Sequence, residues 1–257
     1  MYNSTYFKVG VIEMPVNYNE ISQIYDNVRS EEKSIIDLFL EEIKPTAQTR
    51  ILDFGCGTGN YASVLSKCSN AEVYGVEPSD GMREKAKAKE SNAVFVKGSH
   101  AYIPFEGDYF DFIYMTDVIH HVPNIGIMFN ELARVLKVGG KICIVTESHK
   151  QIENRCFVKY FPSTALVDKE RYPDIDEIIN EAIAHSLGHI KNTIRDENRE
   201  TLITSDFLEL VRNKGYSMFH LIPNDEYLQG LNQLEQDLLS GPIKCISSGE
   251  TLIWLKK

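Results

Sequence analysis

Residues 50–60 read RILDFGCGTGN, and this stretch decides the fold. Ile51 to Phe54 form a run short enough for a buried strand. Gly55, Gly57 and Gly59 then alternate, and Tyr61 to Lys67 carry helical periodicity. A strand, a glycine turn and a helix, in that order, let a ligand press against bare backbone at a helix N-terminus. Asp53 narrows the ligand further. It places a carboxylate at the end of the strand, where a pyrophosphate would be repelled and a cationic amine would be held.

S-adenosylmethionine meets that requirement, with an ammonium, a sulfonium and no phosphate. The next strand carries the acid expected for a ribose. Ala71 to Gly75 lead into Val76, Glu77, Pro78 and Ser79, and Glu77 lies 22 positions after Gly55. That is near the ~20-residue offset at which an acid ending the second strand reaches ribose hydroxyls. A dinucleotide fingerprint would place a third small residue where this chain has Asn60, so that pattern is broken.

With these pieces in hand, residues 50–148 resemble the core of a class I S-adenosylmethionine-dependent methyltransferase. The similarity is to the small-molecule group that includes the ubiquinone and menaquinone C-methyltransferases. ILDFGCGTG at 51–59, VYGVEPSDGM at 73–82, IPFEGDYFDFIYMTDVIHHV at 103–122 and LKVGGKICIV at 136–145 carry it, in family order and spacing. The resemblance implies a Rossmann-like α/β fold: a doubly wound, seven-stranded, mostly parallel sheet whose last strand is antiparallel, with a helical lid. It also implies that Met82 lies against the adenine. Relatives usually place an aspartate after the third-strand glycine to accept from the adenine amine; this chain has Ser99 there, with the backbone of His100 as the other candidate. Tyr25 to Arg29 (YDNVR) resembles a Y-D-x-x-R stretch that relatives fold over the cofactor. Tyr25 would then cover the methionine end and Arg29 would approach its carboxylate.

The flanks are read from layout. Residues 1–48 are expected as an N-terminal helical cap, 49–148 as the cofactor-binding core and 149–203 as a lid insertion rich in aromatics, with a helix from Asp174 to Leu187. Residues 204–257 are expected to complete the sheet, with strands at Met218 to Ile222 and Gly249 to Leu255 around a helix from Asp225 to Leu239. The helix bearing Ile125, Phe129, Leu132 and Leu136 is expected to stop at Gly139 and Gly140.

A chain of 257 residues suits one α/β domain. The net charge of −10 argues against a nucleic-acid partner, because no basic stripe exists to neutralise phosphates. Five widely spaced cysteines without a C-x-x-C pair argue against a disulfide framework and against a metal site, and suit a reducing cytoplasm. Cys56 reads as a small side chain that fits the glycine turn. No apolar run approaches the ~20 residues of a membrane span, and the N-terminus lacks the form of a signal peptide.

Ligands of open parallel sheets bind beyond the carboxyl ends of the strands. Strand one therefore offers Asp53, Gly55, Cys56, Gly57 and Gly59; strand two offers Glu77 and Pro78; strand three offers Ser99 and His100. Strand four ends in Thr116, followed by Asp117, which either meets the substrate or caps the next turn, and by the catalytic candidates His120 and His121. At most one of these histidines is expected to face the ligand. Glu147 and His149, past strand five, line the far side or sit in a solvated loop. Methyl transfer to a small-molecule acceptor is in-line displacement, so positioning can suffice and a base is needed only where the acceptor must lose a proton. The rival readings are an NAD-dependent dehydrogenase, a non-catalytic S-adenosylmethionine-binding sensor or partner subunit, and a different transfer from the same cofactor, such as aminopropyl transfer.

Overall fold

A computed structural model describes residues 33–257. The first described helix, α1 (Lys33–Ile43), turns Ile35, Ile36 and Phe39 inward. The chain then alternates: β1 (Arg50–Phe54), α2 (Asn60–Cys68), β2 (Glu72–Val76), α3 (Asp80–Ala88), β3 (Val94–Val96), β4 (Phe110–Thr116), α4 (Ile125–Val135) and β5 (Leu136–Thr146). Side chains cap these helices where the sequence supplies short polar residues. Ser79 accepts the Met82 amide at 3.3 Å, and Asn124 accepts that of Ile127 at 3.0 Å.

Beyond β5 come α5 (His149–Glu153), α6 (Ser163–Arg171), α7 (Ile175–Ala184), β6 (Gly188–Arg195) and β7 (Glu200–Ile203). The chain finishes with α8 (Ser205–Arg212), a 3₁₀ turn (Ser217–His220), α9 (Asn224–Leu238), β8 (Ile243–Ile246) and β9 (Glu250–Lys256). The seven-stranded sheet runs β3-β2-β1-β4-β5-β9-β6, and β7 pairs only with β8. Its pairs are parallel except where β9, antiparallel to both neighbours, inserts between β5 and β6. The strand order reverses between β1 and β4, which opens a crevice at their carboxyl ends.

Both faces of the sheet are covered. Leu52, Ile113, Met115 and Ile144 pack with α4 and α7. Phe112, Tyr114 and Trp254 pack on the other face with Phe39 of α1 and Leu65 of α2. A third cluster (Phe161, Leu208, Phe219, Tyr227 and Leu234) is the core of a separate cap over the crevice.

Three boundaries differ from expectation. Met218 and Phe219 lie in the 3₁₀ turn and bury into the cap cluster, so no strand forms at 218–222. The missing sheet strand is β6, inside the segment expected to be lid. Gly139 and Gly140 do not end a helix: α4 stops at Val135, and both glycines lie within β5, where Gly139 takes φ +84° and donates to Lys257. Among the described residues no helix is long and apolar enough to cross a membrane.

Candidate active site

Among the described residues two cavities lie side by side in the crevice. The first encloses about 360 Å³ over the glycine turn, within the range of sites for small molecules and cofactors. Gly55 lines it at φ +74°, where a Cβ would stand 2.6 Å from the Val118 side chain. Gly59, at φ +75°, starts α2 under Phe95 and Ala86, again with no room for a Cβ. Only glycine satisfies both conformation and space at these two positions.

Glu77 closes the far side of the turn. Its carboxylate accepts the Gly57 amide at 3.1 Å and the Ser79 amide at 2.8 Å, one on each oxygen. Each oxygen keeps a further lone pair for a hydroxyl donor. Burial raises the pKa of Glu77 above the usual carboxylate range, against the pull of those amides and of the Arg83 charge. Met82, Pro78, Ser99, His100 and Thr116 complete the expected part of the lining. Phe54, Val76, Val118, Val122 and Pro123 add apolar walls that the sequence reading had not singled out. No lysine or arginine lines this cavity among the described residues. A paired acceptor for vicinal hydroxyls, apolar walls for a flat ring and no cation for a phosphate together fit an adenosyl sulfonium ligand.

Three of the expected contacts lie elsewhere. Asp53 is only 3% exposed and does not line the cavity. Burial pushes its pKa to about 7, beside the Tyr114 hydroxyl and the Ala62 amide, so it sits under the turn, outside the lining of the cavity. Cys56 is buried with its thiol pushed well up in pKa by burial, and its Sγ fills the space beside Gly75. Gly59 acts from below, through the start of α2. Tyr25 and Arg29 lie outside the described residues.

The second cavity, about 460 Å³, lies between the sheet edge and the cap. Asp117 is the one described residue lining both. It directly follows β4 with φ +56°, a left-handed conformation that aspartate tolerates better than most residues, and its amide donates to Val145 at 3.2 Å. The two histidine rings of the following 3₁₀ turn (Ile119–His121) touch, with centroids 3.9 Å apart, yet line different cavities. His121 is exposed and lines the first cavity. His120 is 9% exposed, lines the second, and stacks on Tyr172 with ring centroids 4.0 Å apart at 11°.

The floor of the second cavity is a buried ion network. Arg155 donates to both Glu147 oxygens at 3.0 and 3.1 Å and to Asp168 at 2.6 Å, and Arg171 reaches Asp168 at 3.0 Å. Burial raises the pKa of Glu147, and the Arg155 charge works against that shift. His149 instead bonds the Tyr172 carbonyl at 2.8 Å, outside the lining. Arg155, Asp168 and Tyr172 were not among the sequence candidates, because nothing in their spacing marks them. Cys156, on the cavity wall, is joined to Cys245 of β8 by a disulfide. This corrects the reading of the cysteines as unpaired; Cys56, Cys68 and Cys143 remain free.

The chain is similar to known proteins in sequence and in fold. A family described as methyltransferase domain matches residues 52–144. Demethylmenaquinone methyltransferase of Lactococcus lactis is 30% identical over 178 residues, 62% of this chain and 69% of that one. Malonyl-[acyl-carrier protein] O-methyltransferase of Legionella pneumophila is 32% identical over 191 residues, 68% of this chain and 62% of that one. Among solved structures, a candidate methyltransferase of an antibiotic biosynthesis pathway in Anabaena variabilis superposes with a TM-score of 0.72 at 22% identity. That match covers 90% of this chain and 99% of the other. The glycine turn, the Glu77 acceptor and the reversal of strand order occur together in one matched segment. The chain belongs to the class I S-adenosylmethionine-dependent methyltransferases.

Proposed function

We propose that the methyl group passes to a small-molecule acceptor seated in the second cavity. The observation that carries this reading is Asp117, the residue common to both cavities. S-adenosylmethionine supplies, when bound, a methyl group on a sulfonium sulfur that leaves readily. Glu77 would hold its ribose hydroxyls, Met82 and Ser99 would meet its adenine, and Tyr25 and Arg29 are proposed to cover its methionine end. The chain's main task is then to orient the acceptor and exclude water, worth about 7–11 kcal/mol in well-oriented systems. Where the acceptor must lose a proton, Asp117 or His120 would take it from the acceptor side. His121, on the cofactor side, has the weaker claim.

The two relatives are named for different acceptors, a quinone and a carrier-protein-bound malonyl group, so neither acceptor passes to this chain by likeness alone. The chain is read as one methyltransferase domain with a cap. A cytoplasmic location is proposed against the Cys156–Cys245 disulfide, because glutathione keeps cytosolic thiols reduced; thiol labelling in cell extract decides its state. The test of the acceptor cavity is Ser248→Trp, which narrows it. Turnover of a labelled methyl donor over an acceptor library should be lost while S-adenosylhomocysteine affinity stays. Unchanged turnover would remove the second cavity from the reading.

A further inference from the structure

The chain crosses between the sheet and the cap more than once, and the second cavity lies at the crossings. It enters the cap after α5, through residues 155–157, and returns to the sheet as β6. It leaves again through 196–201 into β7 and comes back from β8 through 247–250 into β9. Each of these three stretches contributes to the cavity lining. The second and third are held together by backbone. Asn198 donates to the Ser247 carbonyl at 3.1 Å, Ser247 donates to that of Arg199 at 2.9 Å, and β7 and β8 pair only with each other. A two-stranded ladder is marginal by itself, so the wall depends on what anchors it. Its covalent tie to the first stretch is the Cys156–Cys245 disulfide. Cys156 lines the cavity, and Cys245 stands opposite Thr201, another lining residue, in the β7–β8 ladder. Both bridge cysteines are half-buried, whereas the free Cys56 and Cys143 are buried.

We propose that Cys156–Cys245 is a thiol–disulfide modification site that sets how firmly the wall of the second cavity is held. The reactant is a glutathione-class thiol that reaches Cys156 from the cavity. Its thiolate attacks one sulfur of the pair. The sulfur–sulfur bond breaks, a mixed disulfide forms, and the other cysteine leaves as a thiolate that takes a proton. A second thiolate attacks the glutathione sulfur of the mixed disulfide and frees the remaining cysteine, which is protonated in turn. Two glutathione thiols are thereby oxidised to one disulfide, the cysteine pair is reduced, and two protons pass from the former to the latter. Oxidised glutathione runs the same steps backward. With the bridge closed, the entry and exit of the cap are tied across a separation of 89 residues, which restricts how far the wall can part. With it open, the wall relies on the β7–β8 ladder and on packing such as that of Phe157 on Phe207. Neither cysteine lines the first cavity, so the cofactor site does not share the response. The consequence for methyl transfer rests on reading the second cavity as the acceptor site; the change in the wall does not.

The test is hydrogen exchange read by mass spectrometry on the full chain, held in reduced or in oxidised glutathione, with alkylation to count thiols. Exposed Cys68 is the internal control and should be labelled in both states, while the pair should be labelled only after reduction. On reduction, the amides of 155–157, 196–201 and 245–250 should exchange about tenfold faster or more. Exchange in β1 and β4 and the affinity for S-adenosylhomocysteine should not change. Cys245→Ser should show the fast pattern in both buffers, and Cys68→Ser should respond as the wild type does. Labelled-methyl turnover over the acceptor library should need about tenfold more acceptor in the reduced chain. A pair that resists reduced glutathione in the folded chain, equal exchange in the two states, or faster exchange spread over the whole sheet overturns the inference. Faster exchange confined to the wall with unchanged turnover supports the modification site and instead removes the second cavity from the acceptor reading.

Discussion

The two cavities touch at Asp117 yet are built in opposite ways. The first is made from one continuous stretch, Phe54 to Pro123, in which each β-strand hands its next few residues to the crevice. The second draws on Asp117 through Glu250 and depends on the cap to bring Arg155, Tyr172, Tyr216 and Ser248 together. The first uses backbone amides, glycine turns and Glu77, with Asp117 at its edge. The second uses charged side chains whose burial must be compensated. A site assembled locally can be held constant, while a site assembled by tertiary contacts can change whenever the cap does.

The comparison breaks most visibly at His120. If the second cavity carries the proton transfer, His120→Ala should lower turnover by about 10²–10⁴-fold with S-adenosylhomocysteine affinity unchanged, whereas His121→Ala should alter cofactor affinity more than rate. Full turnover in His120→Ala would make its stacking on Tyr172 a packing contact and leave positioning, with Asp117, as the whole of the chemistry.

The next effect is on stability. Arg155→Ala leaves Glu147 without its guanidinium in a buried site, while Asp168 keeps Arg171, and breaking a buried pair in this way costs about 3–5 kcal/mol. Denaturant titration should show that loss, and Glu147→Gln in the same background should recover part of it by removing one stranded charge. A variant as stable as the wild type would mean that the floor of the second cavity is well hydrated and its ion network weak.

The same contrast explains what could be read from the chain in advance. The glycine turn, Glu77, Met82 and the residues ending β3 and β4 are legible because local spacing alone brings them to the crevice. β6 is not legible. Its sequence, GHIKNTIR, forms an exposed edge strand that needs no alternation of apolar residues. The apolar Met218 and Phe219 resemble a strand because burial is all that their pattern records, and the burial here is in the cap. Arg155, Asp168 and Tyr172 carry no local signature, since a buried ion network is defined by partners distant in sequence. The Cys156–Cys245 bond spans 89 residues for the same reason.

Within the first cavity the acid that meets the ligand is to be separated from the acid that supports the turn. Glu77→Ala removes the acceptor proposed for ribose hydroxyls and should cost about 1.5–3 kcal/mol of S-adenosylmethionine affinity, the range for hydrogen bonds to a charged group. Calorimetry on Glu77→Ala and Asp53→Asn, side by side, should find the larger loss in the former. The reverse order would return Asp53 to the ligand and make its burial beneath the turn irrelevant to binding.

Asp53 has its own signature, in the pH dependence of folding. Its pKa rises from 3.8 to about 7 because burial disfavours the charged form. The folded chain therefore binds this proton more tightly than the unfolded chain does. Between the two values the unfolded state has lost the proton and the folded state keeps it, so stability contributed by the neutral acid is present below the unfolded value. It declines as pH rises toward about 7, by at most about 1.4 kcal/mol for each pH unit. Above that window both states are ionised and the contribution is flat. An asparagine side chain cannot ionise, so Asp53→Asn should remove this slope, and the difference between wild-type and variant stability should itself vary with pH from about 4 to 7. Parallel stability curves for the two proteins would mean that Asp53 is solvated in the folded chain, and the first cavity would then reach one residue deeper than its lining does.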